Sequence, residues 1–337
     1  MAAFEDLNLA TDHVFSCERN PKLRAFIQAR FHPRKAYPDM TARVNTSPGA
    51  DDENDLDFYI AGIACQSFSR AGLNKGMEDA VDGGRGVLFI YAWDFIKERK
   101  PRSFLLENVE NLVKMHRDTF TAWLRALHDL NGGMYTISWQ VLSTADHGVP
   151  QRRWRVYVVG IRKDAQKAPF TFPPPVDALP LDLLLEDGTA PNGCWQLPPR
   201  TSKTAVANVC RGLEEMIQRG YNPEKDPAVI DHGATRGGVT YGMSPTLTAS
   251  RARTGGFWLL HKGRTMTLCE MMRLQGLRPS RFALPPGMCQ SALGHAVGNA
   301  MSGNVVHRIV ARISWALGMP RVQDKWSDPL YGALFLL

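Results

Sequence analysis

The sequence has few cysteines, no long apolar run and no internal repeat, and each of these absences argues against a class of protein. Its six cysteines form no Cys-x-x-Cys pair and do not cluster with histidine, so we expect neither a disulfide framework nor a metal site. No apolar run approaches the roughly 20 residues that cross a bilayer. The N-terminus also lacks a basic segment followed by an apolar one, so we expect an intracellular protein with no membrane partner.

What is present is a large apolar fraction and a basic balance. With 337 residues, 44% of them hydrophobic, the chain can bury a large core and form one large domain and one smaller domain. Its 40 lysines and arginines exceed its 33 acids and give a net charge of +7. Such a balance suits a polyanionic partner, although it also occurs in many other proteins.

The first half of the chain has the pattern of an α/β domain. Short apolar runs rich in β-formers alternate with amphipathic stretches from residue 13 to residue 161, which predicts a doubly wound, Rossmann-like sheet. The predicted strands cover residues 13–17, 57–61, 103–106 and 155–160, and the predicted helices cover residues 86–98, 119–130 and 304–317.

Regular alternation stops after Arg162, where prolines become frequent. This change predicts a smaller, irregular second domain and a return to the first domain near residue 290. The predicted division is a catalytic domain over 1–163, a second domain over 164–286, a return segment over 287–320 and a C-terminal tail over 321–337.

One cysteine lies in a turn of small residues. Residues 62–72 read Gly-Ile-Ala-Cys-Gln-Ser-Phe-Ser-Arg-Ala-Gly and follow an apolar run that resembles a strand. Ligands of open α/β sheets bind at the carboxyl ends of strands, so Cys65 is a candidate nucleophile. On these residues alone, an inert buried thiol is an equally good interpretation.

Four further segments follow Cys65 in a recognisable order. They are Glu107-Asn108-Val109, Gln151-Arg152-Arg153-Trp154-Arg155, the segment from Arg264 to Gly276, and Gly298-Asn299-Ala300. With the Cys65 turn, the five collinear motifs resemble the DNA cytosine-5 methyltransferases. The resemblance implies a Rossmann-like methyltransferase domain, a target-recognition domain over 164–286, S-adenosyl-L-methionine as cofactor and DNA as partner.

The resemblance assigns catalytic roles to Cys65, Glu107, Arg153 and Arg155. A thiolate that adds to C6 of cytosine makes C5 nucleophilic, and Cys65 is expected to supply it. Glu107 is expected to donate to N3 of the base, and Arg155 to hold its O2. The competing interpretations are that Glu107 caps a turn and that Arg153 is a structural ion-pair partner.

The resemblance also implies a cofactor site. An acid at the end of the first strand, Glu18, is expected to bind the ribose hydroxyls, and Asp39 the adenine amino group. The remaining predicted cofactor residues are Met40, Leu88, Asn299 and Ala300. Surface acids and ordinary core packing are the alternatives for Glu18, Asp39 and Leu88.

DNA contacts are expected from both domains, because the target cytosine must be flipped out of the duplex. Gln66 and Ser69 are expected to shape the loop behind the flipped base, and Arg251 and Arg253 to contact DNA from the second domain. For each basic residue of that domain, a solvated surface position is an alternative. Arg236, Lys262 and Arg264 are further candidates for DNA contacts.

The sequence also departs from the family pattern. Nothing like the family's initial strand and Phe-x-Gly-x-Gly cofactor loop precedes Leu7, so a truncated chain, a separate N-terminal piece and an inactive product are all open. Ala64 replaces a proline, which predicts a looser loop. An inactive DNA-binding domain and a transfer-RNA methyltransferase are the alternative functions. The expected location is the nucleus of a eukaryote or the cytoplasm and nucleoid of a prokaryote.

Overall fold

The computed structural model describes residues 1–41, 55–63, 88–188, 195–235, 237–284 and 287–336. The predictions for Cys65, Gln66, Ser69, Ala64 and Arg236 lie outside these residues. Within the described ranges, no helix is both long and apolar enough to cross a membrane.

Eleven helices and ten strands are seen in these ranges. The strands are β1 (Phe15–Cys17), β2 (Lys35–Tyr37), β3 (Phe58–Gly62), β4 (Ser103–Val109), β5 (Tyr135–Ser143), β6 (Trp154–Arg162), β7 (Ala228–Asp231), β8 (Val239–Tyr241), β9 (Phe257–Leu259) and β10 (Arg264–Thr265). The helices are α1 (Ala2–Asp6), α2 (Pro21–Phe31), α3 (Leu88–Arg99), α4 (Asn111–Met115), α5 (Arg117–His128), α6 (Lys203–Gln218), α7 (Ala249–Thr254), α8 (Leu268–Leu274), α9 (Gln290–Asn299), α10 (Gly303–Ala316) and α11 (Pro329–Leu336).

The central sheet has the strand order β3-β4-β6-β5. Strands β3 and β4 are parallel, with Gly62 opposite Glu107, and β6 runs antiparallel to β4, with Arg155 opposite Val109. The carboxyl ends of β3 and β4 and the start of β6 therefore share one edge of the sheet. We call this edge the catalytic edge.

Helices cover both faces of this sheet, so the predicted α/β class is confirmed. Every residue of β4 is buried, as expected for a strand packed on two faces, and this includes the polar Glu107 and Asn108 that follow its apolar run. On one face the Phe89 ring of α3 stacks on Trp123 of α5 at 3.9 Å between centroids. On the other face α10 and α1 pack together with the alternate strand residues.

Strands β1 and β2 form a separate parallel pair. Phe15 of β1 packs against Tyr59 of β3 and Phe95 of α3, with ring centroids 6.4 and 5.5 Å apart respectively. The two sheets therefore share a core, although in the described part of the chain no backbone ladder joins β1 to β3.

The region predicted to be irregular contains regular elements as well. Strands β10-β9-β7-β8 form an antiparallel sheet, and α6 packs on it through Val209 and Met216. The strands are two to four residues long, too short to show a period of two in the sequence. In the motif segment from Arg264 to Gly276, helix α8 begins at Leu268, because Thr267 caps it and Arg264 belongs to β10.

Candidate active site

The catalytic edge brings Glu107 and Arg155 into contact. Arg155 Nε lies 3.1 Å from Glu107 Oε1, and the two side chains are only 15% and 11% exposed. Glu107 is opposite Tyr157 of β6, and Arg155 is two residues from Tyr157. Glu107 and Arg155 therefore face the same side of the sheet. A guanidinium held in one orientation beside a carboxylate is the arrangement that can bind a planar polar ring by several hydrogen bonds.

The Cys65 turn begins at the same edge. Strand β3 ends at Gly62, and the N–H of Ile63 donates to the Glu107 carbonyl at 3.1 Å. A Cβ atom added to Gly62 would lie 3.2 Å from the Met301 methyl and 3.7 Å from Glu107 Oε2. Because Gly62 has no side chain, Met301, which follows α9, can approach the end of β3. In the sequence, Cys65 follows this strand end by three residues.

Arg153 is fully buried and contacts backbone carbonyls rather than Glu107. Its guanidinium donates to the carbonyl oxygens of Leu247, Gly298 and Ala300 at 3.2, 3.4 and 2.8 Å. It therefore joins the start of β6 to two segments that lie about 90 and 145 residues further along the chain. Of the two motif arginines, Arg155 is the one whose ion pair with Glu107 is seen, and the catalytic role of Arg153 stays a prediction.

Two buried glutamines complete this junction, and sequence reasoning had given them no role. Gln151 Nε2 donates to the Leu274 carbonyl at 2.6 Å, and Gln275 Nε2 donates to the Ala300 carbonyl at 2.5 Å. Both glutamines belong to the motif segments, but their partners are distant in sequence, so no local signal predicts these hydrogen bonds. The motif segments therefore meet at one hydrogen-bonded junction beside the catalytic edge.

Arg264 is used inside the protein and is not a free DNA contact. It donates to both oxygens of the fully buried Glu270, at 2.7 and 3.0 Å. Glu270 and Thr267 also form a capping box at the start of α8. The predicted DNA contact of Arg264 is thus replaced by a structural ion pair.

The two other predicted DNA-binding arginines have different surroundings. Arg251 Nε lies 3.1 Å from Asp231 Oδ2, and both side chains are partly exposed. Arg253 is exposed at the end of α7, so of the two it is the one available to a ligand without breaking an ion pair.

Glu18 and Asp39 follow two neighbouring parallel strands. Cys17 of β1 pairs with Tyr37 of β2, and the Glu18 N–H donates to the Tyr37 carbonyl at 3.1 Å. The backbone N–H and hydroxyl of Thr41 both donate to Asp39 Oδ1 at 2.9 Å, and the backbone bond is the main reason that the pKa of Asp39 is lowered. Two carboxylates at adjacent strand ends can accept hydrogen bonds from hydroxyl and amino groups of one ligand.

The other predicted cofactor residues divide into two places. Met40 and Leu88 both pack, half-buried, on the core between the sheet and α3. Asn299 is exposed and lies 3.1 Å from the Nε2 atom of His295, while the Ala300 carbonyl belongs to the junction with Arg153. Among the described residues, no group of three His, Cys, Asp or Glu side chains is placed to hold a metal ion.

Comparisons with known proteins identify the family and the fold of the chain. The sequence profile of a family described as C-5 cytosine-specific DNA methylase matches residues 2–315. Type II methyltransferase M.NgoBI of Neisseria gonorrhoeae is 32% identical over 299 residues, which cover 87% of this chain and 83% of that protein. Type II methyltransferase M.SsoII of Shigella sonnei is 30% identical over 325 residues, with coverages of 90% and 74%. The solved structure of the Entamoeba histolytica methyltransferase EhMeth has the same fold, with a TM-score of 0.64, 15% identity and 93% coverage of both chains.

Proposed function

Because the chain belongs to the C-5 cytosine-specific DNA methylase family, we propose that Cys65, Glu107 and Arg155 carry out its chemistry. The protein is a DNA (cytosine-5-)-methyltransferase with S-adenosyl-L-methionine as methyl donor. The observation that supports this assignment most strongly is the contact of Arg155 with Glu107 at 3.1 Å, at the edge where β3 leads to Cys65.

The chemistry requires a nucleophile, an acid and a fixed cation. The Cys65 thiolate adds to C6 of the flipped cytosine, the C5–C6 π pair forms a C4–C5 double bond, and the C4–N3 π pair moves onto N3. After C5 has taken the methyl group, loss of its proton to a base and expulsion of the Cys65 thiolate restore the C5–C6 double bond. Glu107 donates a hydrogen bond or a proton to N3, which prevents a negative charge from building up there. Arg155 holds Glu107 in place and presents its remaining N–H groups to O2 of the base.

When bound, S-adenosyl-L-methionine would supply an electrophilic methyl carbon to C5, with the neutral thioether as the leaving group. Glu18 and Asp39 fit its ribose hydroxyls and adenine amino group, since both carboxylates end adjacent parallel strands. Met40 and Leu88 offer an apolar wall beside them. Asn299 is assigned to the same ligand by family resemblance, and the Ala300 carbonyl supports the fold through Arg153.

DNA binds between the catalytic edge and residues 164–286. That segment has its own sheet, β10-β9-β7-β8, and we assign it to target recognition, with 287–320 returning to the catalytic sheet. Gln66 and Ser69 lie next to the nucleophile in sequence, and Arg253 supplies an exposed charge.

Arg153 acts as a positioning residue in this scheme, because it ties Leu247 of the recognition segment to the start of β6. We place the protein in a bacterial nucleoid, because its substrate is DNA and the relatives named above are bacterial.

Covalent trapping tests the catalytic assignment. A duplex with 5-fluorocytosine at the target has no C5 proton to lose, so the Cys65 adduct should persist and be visible by denaturing gel and mass spectrometry. The Cys65→Ser variant should form no adduct, whereas Cys289→Ser should form as much as wild type. An adduct mapped to another cysteine would overturn the role of Cys65.

A further inference from the structure

The motif that contains Arg155 also presents two exposed side chains with no part in the chemistry above. Along residues 151–154 burial alternates: Gln151 and Arg153 are buried, and Arg152 and Trp154 are exposed. This is the period of an extended strand whose two faces differ. The buried pair forms the junction already described, so the exposed pair must face outward from it.

The backbone that carries Arg152 is fixed on both sides. Its N–H donates to the Ser244 carbonyl at 2.8 Å, and the Ser244 N–H donates to the Pro150 carbonyl at 2.8 Å. The Thr246 hydroxyl donates to the Arg152 carbonyl. Arg152 is therefore held against the recognition segment, and a ligand that contacts it needs little further ordering of the chain.

Trp154 lies between this anchor and the catalytic pair. Its carbonyl accepts from Arg155 Nη1 at 2.7 Å, and its ring centre lies 6.0 Å from the Arg152 guanidinium. The side chain is 38% exposed, although a tryptophan gains much from burial. An exposed indole beside an exposed guanidinium is the combination that binds nucleic acid by stacking and by phosphate neutralisation.

The geometry points to Arg152 and Trp154 as a DNA platform beside the target cytosine. Trp154 packs on a base or sugar next to the flipped nucleotide, and Arg152 neutralises a neighbouring phosphate. The location supports this ligand over a protein, because the pair stands on the catalytic edge next to Arg155. The inference rests on the proposed function, since it takes the duplex to lie across this edge.

The test compares DNA affinity in matched variants, using a fluorescein-labelled duplex of a site first mapped by bisulfite sequencing of plasmid DNA methylated by the protein. Trp154→Ala should weaken binding between about 5-fold and 100-fold, and Trp154→Phe should recover most of it. Trp139→Ala is the control, since Trp139 is 44% exposed on β5 but packs on Phe120 away from this edge. Its affinity should equal that of wild type.

Salt dependence tests Arg152. Arg152→Gln should lower the slope of log Kd against log salt by about 1, while Arg102→Gln, at the opposite end of β4, should leave the slope unchanged. At saturating DNA the Trp154→Ala variant should keep a wild-type kcat, so that the loss lies in KM for DNA.

Two results would overturn the platform. One is a Trp154→Ala variant that binds DNA as tightly as wild type, and the other is a loss of kcat at unchanged DNA affinity, which would mean that Trp154 acts only by holding Arg155. Failure of the proposed function has a different signature. In that case wild-type protein yields no 5-methylcytosine, and a plasmid fragment then serves as the labelled duplex for the same comparison of variants.

Discussion

At the scale of single residues, the account depends on the pair formed by Glu107 and Arg155. The sequence identifies both residues through their motifs, but the 3.1 Å contact between them comes from the register of β4 and β6, which no local pattern shows. The same register separates the two motif arginines. Arg155 reaches Glu107, whereas Arg153, two residues earlier, is turned toward the carbonyls of Leu247 and Ala300.

Glu107→Gln should slow methyl transfer by about 10²-fold or more, because an amide keeps the shape of the carboxyl group but is a much weaker acid. The measurement is a single-turnover rate at saturating DNA and S-adenosylmethionine. Glu110→Gln, the same substitution three residues later in the sequence, is the matched control and should keep the wild-type rate. An unchanged rate in Glu107→Gln would remove this residue from the mechanism.

At the scale of elements, the apolar runs predicted three of the four central strands and missed β5 and the second sheet. β6 is buried and rich in β-formers, and β4 contains a short apolar run, whereas β5 is largely exposed or half-buried along its middle. β8, β9 and β10 have three residues or fewer, and their pairing depends on partners far away in the sequence. The buried roles of Gln151 and Gln275 could not be predicted for the same reason, since each bonds to a segment that only the fold brings near.

Packing between β4 and β6 has no room for a side chain at Gly160. A Cβ added there would lie 2.2 Å from the Phe104 ring, so Gly160→Ala must displace a buried ring and should destabilise the protein by roughly 1–3 kcal/mol. Chemical denaturation measures this change in the free energy of unfolding. Gly238→Ala is the control, because a Cβ at Gly238 meets nothing within 4 Å. Equal denaturation midpoints for Gly160→Ala and Gly238→Ala would show that Phe104 does not pack on Gly160 as described.

At the scale of the whole molecule, α10 ties the chain's late segments to the sheet through buried polar groups. Burial lowers the pKa of both His147 and His307 to about 4. His147 Nδ1 accepts from Arg308 Nη1 at 2.7 Å, and Arg308 Nε in turn lies 2.9 Å from Asp324 Oδ2. The Arg308 charge adds to the effect of burial on His147, so the folded protein holds this ring neutral.

Mild acid should therefore destabilise the fold. A histidine pKa lower in the folded than in the unfolded state means that the unfolded chain binds more protons, so stability present above pH ~6.5 is lost as the pH falls toward ~4. Between pH 7 and pH 5.5, each of the two histidines should remove about 1 kcal/mol from the free energy of unfolding. Urea unfolding at the two pH values measures the loss, which His147→Gln should reduce and the exposed His128→Gln should not. A pH-independent free energy over this range would contradict the buried neutral histidines.

The most direct test of the whole account is transfer of labelled methyl from S-adenosylmethionine to unmethylated DNA, with wild type and Cys65→Ser measured side by side. The product is identified as 5-methylcytosine by mass spectrometry after digestion, and S-adenosylmethionine binding and thermal unfolding show that both proteins are folded. The account predicts labelled 5-methylcytosine with wild type and none with Cys65→Ser at equal cofactor affinity. Transfer by Cys65→Ser at the wild-type rate would contradict it, because methylation would then proceed without the proposed nucleophile.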